Sequence, residues 1–365
     1  MKKINVYLQF PWKISDSQYY KSLLDNAPKN VEYISEKTKV GMITNKNKLT
    51  FLNFIKKSIR KPLEKSKLPI LNIKKTKIKE NYDLIHCAHC LSSNNVPWVA
   101  DFESLWQMWI SGRDTQIGRK KALKILKKDS CKKILAWTNT SKKEIEKRFP
   151  EIKNKISLVP YGMAFPKSKK IKHKKIRLLF IGRYFHQKGG LHALEAFDKL
   201  TKKYENVEAL FISEVPKEIL NIYIKNKKIK FSGLVPYNEI VNKIFPSSDI
   251  FVYPGYSDTF GFMFIEALAF GLPVITVDGF ARKDIVTENK TGFIIKRDKN
   301  SKWYPSKEES KRIVENLVEK TSKLIENKKL MVKMSRNCKE VVKNGKFSLD
   351  NRNKKLEKEY RNAIK

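Results

Sequence analysis

Between Ile176 and Ile295 short apolar runs alternate with helix-length stretches, and this alternation limits the chain to few architectures. Strands are predicted at Ile176–Ile181, Val207–Ile212, Ile229–Phe231, Asp249–Tyr253, Pro273–Val277 and Gly292–Ile295, with helices near 190–204, 216–226, 237–245 and 262–270. Strands separated by helices of this length form βαβ units, because the crossover helix returns the chain to the same end of a parallel sheet. The stretch near 190–204 places Leu191, Leu194, Phe197, Leu200 and Tyr204 on one stripe, which must lie on a sheet. The first half repeats the pattern less cleanly, with strands at Ile4–Leu8, Val31–Ile34, Asp83–His86, Trp98–Phe102, Lys133–Trp137 and Ile156–Val159. Residues 160–175 break the alternation with two prolines, a glycine and a Lys/Ser/His run, which reads as a linker. A chain of 365 residues has room for two cores, and its tail from Pro305 to Lys365 is helical by composition.

In open parallel sheets ligands bind beyond the C-terminal ends of the strands, where helix N-termini offer free N–H groups to phosphate. Two loops of the second half fit. Gly182-Arg183-Tyr-Phe-His-Gln-Lys188-Gly189-Gly190 follows the strand Ile176–Ile181 and carries two cations on a glycine-rich backbone. An Arg fork with a Lys point charge suits a diphosphate; a glycine-capped turn with two solvated cations is the other reading. The second loop, from Pro254 to Gly261, leads into the helix near 262–270, where Asp258 or Thr259 can cap and Gly271 followed by Pro273 ends the helix. Glu266 interrupts the apolar run Phe264, Ile265, Ala267, Leu268, Ala269. A carboxylate facing a packed sheet needs donors, and sugar hydroxyls are such donors; a Glu on the wet face of the helix is the alternative.

The two loops together resemble glycosyltransferase family 4, retaining enzymes of the GT-B fold. The second reads Asp258-Thr-Phe260-Gly261, then four residues, then Glu266-Ala267-Leu-Ala269-Phe-Gly271-Leu-Pro273-Val274, and departs from the family pattern only at the first acid, shortened from Glu to Asp258. Upstream, Leu179-Phe-Ile-Gly182-Arg183 and Lys188-Gly189 are similar to the family's phosphate loop, and Lys155-Ile-Ser-Leu-Val-Pro160-Tyr-Gly162-Met to a further family segment. The resemblance implies an α/β chain with two Rossmann-like α/β/α domains facing an interdomain cleft. Residues 1–165 would form the acceptor-side domain and 166–345 the donor domain, with 346–365 a helix returning to the first. It implies transfer of a hexose from a nucleoside-diphosphate sugar, with retention, to a carbohydrate or lipid-linked acceptor. Arg183 and Lys188 would bind the diphosphate beside Gly182. Glu266 would take the ribose hydroxyls, and Asp258 with Phe260, Gly261 and Phe262 the sugar and phosphates. Glu103, closing Val99-Ala100-Asp101-Phe102, stands where many members have a His near the reacting sugar; an exposed loop carboxylate is the other reading. Neither metal nor cofactor is expected, since cations and helix dipoles serve the leaving group. The glycine-rich loop usual after the first strand is replaced by Phe10-Pro11-Trp12.

Charge adds a second question. With 77 basic and 37 acidic residues the chain carries +40, a field that attracts any polyanion. Residues 55–80 hold ten Lys/Arg against two Glu, interleaved with apolar residues; such a segment can lie on an anionic membrane surface, although Pro62 and Pro69 break a long helix and a solvated excursion is the alternative. A nucleic-acid-binding protein is the rival that +40 suggests, but it lacks a recognisable motif and leaves Glu266 unexplained. A GT-B epimerase would keep the fold and the nucleotide site. His86-Cys87-Ala-His89-Cys90 has no second ligand pair nearby and reads as a strand end. The four scattered cysteines, the absence of a long apolar run and the direct entry from Lys3 into a strand lead to the expectation of a cytoplasmic protein, peripheral at the inner membrane face if 55–80 binds lipid.

Overall fold

The computed structural model describes residues 2–10, 14–15, 18–35, 39–40, 58, 62, 68–77, 81–299, 301 and 303–365. Of the basic segment 55–80 only 58, 62 and 68–77 are among these residues, the last stretch carrying the two-residue strands Ile70–Leu71 and Ile73–Lys74, and Pro11 and Trp12 lie outside them. The chain forms two compact units, Met1–Gly162 with Leu349–Lys365, and Met163–Ser348.

The first unit is built on β1 (Ile4–Gln9), β2 (Val31–Ser35), β3 (Leu84–Ala88), β4 (Trp98–Phe102), β5 (Cys131–Ala136) and β6 (Ile156–Leu158). They form one parallel sheet in the order β6-β5-β4-β3-β1-β2. Every residue of β3 and β4 is buried, as expected of central parallel strands covered on both faces. Helices α1 (Gln18–Asp25), α2 (Gln116–Leu126) and α3 (Asn139–Arg148) supply part of that cover. The last two start on threonine caps, Thr115 accepting from the Gly118 amide and Thr138 from the Ser141 amide.

The second unit contains β7 (Ile176–Gly182), β8 (Val207–Ser213), β9 (Ile229–Ser232), β10 (Ile250–Tyr253), β11 (Val274–Val277) and β12 (Gly292–Ile295), again all parallel, in the order β9-β8-β7-β10-β11-β12. Its helices are α4 (Gly190–Lys203), α5 (Lys217–Tyr223), α6 (Phe262–Ala269), α7 (Lys307–Glu326) and α8 (Lys328–Lys343). Leu194, Phe197 and Leu200 of the expected stripe are buried on α4. The helix expected near 237–245 is one α turn, Tyr237–Glu239, continued as a π stretch, Ile240–Ile244. After α6 the chain turns at Gly271, whose φ of +77° is the left-handed conformation that ends helices on glycine.

Helix α9 (Leu349–Ile364) belongs to the first unit, where Arg352, Leu356, Tyr360 and Ala363 are buried. No helix among the described residues is long and apolar enough to cross a membrane.

Candidate active site

The strand order of the second unit reverses between β7 and β10, and at such a switch point the loops leaving the two strands diverge to opposite sides and open a crevice. These are the loops singled out above, 183–189 after β7 and 254–261 after β10. They are stitched together by backbone: the Tyr256 amide donates to the Gln187 carbonyl at 2.9 Å. Gly189 makes the approach feasible, since its φ is +71° and a Cβ there would lie 2.3 Å from the Pro254 carbonyl oxygen.

Side chains close the same contact. Lys188 Nζ lies 2.5 Å from Asp258 Oδ1 and donates to the Ser257 carbonyl at 3.0 Å. The other Asp258 oxygen accepts from the Tyr253 hydroxyl at 2.6 Å. Lys188 is therefore no solvated cation. Arg183, half-buried, follows Gly182 at the mouth of the same loop. The expected helix cap is corrected: Gly261, at φ +85°, occupies the N-cap position of α6 without a side-chain cap bond, and Asp258 is committed instead to Lys188 and Tyr253. Phe260 is buried, and its ring lies 5.2 Å from that of Phe262 at the first position of α6.

Glu266 lies one turn further along α6 and is only 5% exposed, which removes the wet-face reading. The Tyr237 hydroxyl donates to its Oε1 at 3.1 Å, while Oε2 is buried without a hydrogen-bond partner. Burial pushes the carboxyl up to about 7, the Tyr237 bond acting in the opposite sense. A buried polar atom without a partner is uncommon and marks a place where a donor is required.

Sequence reasoning missed two residues of this site. Tyr237 sits 29 positions from the carboxylate that it contacts. Arg282, which looks like a surface charge in Ala-Arg-Lys-Asp, is fully buried; its Nη1 donates to the Asp258 carbonyl at 2.6 Å and its Nη2 to the Gly255 carbonyl at 3.0 Å. Its guanidinium also lies 4.9 Å from the Phe264 ring centroid. No local signal distinguishes it, because its partners come from another strand's loop.

The second unit thus carries Gly182, Arg183, Lys188, Asp258, Phe260, Gly261, Phe262 and Glu266 on the two switch-point loops and α6. Glu103 belongs to the first unit, half-buried directly after β4, with its amide donating to Gln107 Oε1 at 2.9 Å. His86 and Cys87 lie on β3; Cys87 Sγ donates to Gln9 Oε1 at 3.2 Å, and Cys90 Sγ contacts the Gln9 carbonyl at 3.7 Å. Chemically, the crevice combines cations, two helix N-termini at Gly190 and Gly261, and a buried carboxylate short of donors. That set fits a ligand with an anionic part and neighbouring hydroxyls.

Residues 164–341, most of the second unit, match the family model described as glycosyl transferases group 1. An uncharacterized glycosyltransferase of Haemophilus influenzae is 26% identical over 216 residues, covering 58% of this chain and 57% of that protein. The chain spans about half the length of the curated relatives that it matches. Among solved structures, a glycosyltransferase from Rickettsia africae superposes over 100% of this chain and 99% of its own with a TM-score of 0.65 at 18% identity. Anabaena HepE in complex with UDP-glucose superposes over 97% and 98% with a TM-score of 0.58 at 12% identity. The fold, two α/β units each on a parallel sheet, is GT-B.

Proposed function

We propose that this chain is a glycosyltransferase of the retaining, family 4 type that takes a hexose from a nucleoside-diphosphate sugar held in the crevice of the second unit. The observation that carries the reading is Glu266, a buried carboxylate with one unpartnered oxygen on the helix that starts at the crevice. Its missing donors are the vicinal hydroxyls of the nucleotide ribose. Arg183 and Lys188 take the diphosphate. When the bond from the anomeric carbon to the phosphate oxygen breaks, negative charge grows on the diphosphate, and these cations with the N-termini of α4 and α6 stabilise it. Lys188 exchanges its Asp258 partner for a phosphate oxygen, which releases the Asp258 carboxylate to accept from a hydroxyl of the transferred sugar. Glu103, on the first unit, serves the acceptor side.

The UDP-glucose bound to HepE supports a nucleotide-sugar donor, and the glycosyltransferase names of the matches favour transfer over epimerisation. The test compares Glu266→Gln with the parent by calorimetric titration, using a nucleoside diphosphate and its 2′,3′-dideoxy form. Gln keeps the shape but loses the charge and one acceptor, so affinity for the ribonucleotide falls about 10- to 100-fold, as expected of hydrogen bonds to a charged group. The dideoxy form binds both proteins equally poorly. If the mutation weakens both nucleotides alike, Glu266 does not read the ribose and the donor-site assignment fails.

A further inference from the structure

The second unit has a groove at the end of its sheet opposite the crevice. It lies against the N-terminal side of β10 and the C-terminal end of α6, whereas the crevice loops leave the other ends of both elements. The separation is the length of a four-residue strand or an eight-residue helix, about 12–13 Å. A cavity of about 330 Å³ is floored by Pro166, Pro246 and Phe270 and runs on into one of about 180 Å³ that reaches Met331 and Val332; the two share Lys170, Phe270 and Lys339.

The rim is cationic. Arg336, Lys339 and Lys343 stand on one face of α8, three and four residues apart, all exposed, and among the described residues none of them forms an ion pair. Of the acids nearby, Asp249 is paired with Lys170 at 2.8 Å, and the single charge of Glu340, whose oxygens both accept from the Asn344 amide at 3.1 and 3.2 Å, leaves the three cations in excess. Two apolar side chains stand out beside the cations, Phe165 at 38% exposure and Val332 at 49%.

We infer that this groove is a docking surface for an anionic lipid bilayer. Headgroup phosphates lie against Arg336, Lys339 and Lys343, and Phe165 and Val332 enter the boundary between headgroups and acyl chains. Cations alone would serve any polyanion. The adjoining exposed apolar residues are what select a bilayer, since a nucleic-acid backbone offers them nothing while the interface takes both. The surface stands independently of the sugar-transfer reading, and its test needs no catalysis.

The full chain is sedimented with phosphatidylcholine vesicles, with and without phosphatidylglycerol. Anionic vesicles retain it and neutral ones do not. Each neutralised cation lowers the partition coefficient about fivefold, so Arg336→Gln, Lys339→Gln and Lys343→Gln combined lower it on the order of a hundredfold. Arg336→Lys keeps binding, Phe165→Ser weakens it at unchanged charge, and circular dichroism verifies that each variant is folded. Neutralising the lysines of 56–79 leaves most of the retention. The inference is overturned by equal recovery with both vesicle types, by a triple variant that binds like the parent, or by loss confined to the 56–79 variant. It is also overturned if inorganic phosphate at constant ionic strength displaces the protein, or if duplex DNA is held as tightly as the vesicles and lost in the same triple variant.

Discussion

Glu266 holds a carboxyl inside an apolar helix face, and the energetic consequence depends on pH. Its ordinary value of 4.5 is raised to about 7 in the folded chain by burial. The folded state therefore binds this proton more tightly than the unfolded one. The associated stability is present below pH 4.5 and is lost as pH rises through 7. The loss amounts to about 3 kcal/mol at pH 8. Glu266→Gln cannot ionise, so its denaturant midpoint lies above that of the parent at pH 8 and close to it at pH 4.5. His192 has the opposite sign, its value lowered to about 4 by burial, but it is present in both proteins and cancels in the comparison. A midpoint difference that did not change with pH would mean that Glu266 ionises freely in the fold. A residue kept at such a disadvantage is characteristic of sites shaped for binding rather than for stability.

At the scale of elements, the geometry of the crevice depends on how the loop 254–261 is tied down. It runs from the end of β10 to the start of α6, where Gly261 provides no side-chain cap. Arg282, the first residue of the short helix Arg282–Ile285 after β11, ties the loop down by donating to the Gly255 and Asp258 carbonyls. Methionine fills similar volume but donates nothing, so Arg282→Met leaves two carbonyls short of a partner and costs about 2–3 kcal/mol of stability. Because the Asp258 backbone is displaced with it, nucleoside diphosphate affinity falls about tenfold in titration of the folded variant. Unchanged affinity, with or without the stability loss, would reduce Arg282 to a packing residue.

At the scale of the whole molecule, the chain begins and ends in the same unit. Helix α9 is held there by more than its apolar face. Tyr360 contacts the sheet through its hydroxyl, 2.5 Å from His86 Nδ1 and 2.9 Å from the Tyr33 hydroxyl, and His86 Nε2 lies 3.4 Å from Asp101 Oδ2. Arg352, fully buried, donates to the Asn26 carbonyl at 3.0 Å. The contact brings His86 on β3 and Asp101 on β4 together beneath Tyr360. Tyr360→Phe retains the ring but leaves His86 and Tyr33 short of a partner, so the first unit loses about 1–3 kcal/mol in denaturant unfolding. Nucleoside diphosphate binding, which the proposed function assigns to the second unit, stays at the parent value. A parallel loss of both would show that α9 supports the donor crevice.

Every predicted strand of both halves is present to within two residues, because strand and helix periods are imposed by backbone geometry over a few residues and are written in the order of apolar side chains. The glycines that permit close approach, Gly189 and Gly261, and the loops that carry them were legible for the same reason. Partners were not. Lys188 meets Asp258 across 70 positions, Tyr237 meets Glu266 across 29, and Tyr360 meets His86 across 274. Whether a charge is solvated, paired or buried is settled by contacts of that span, which only the packing of the sheet creates. Sequence alone therefore determined the alternation, the two switch-point loops and the residue types they offer. The tertiary structure decided that Lys188 is paired, that Glu266 is buried short of a donor, that Gly261 rather than Asp258 caps α6, and that Arg282 and Tyr237 belong to the site at all.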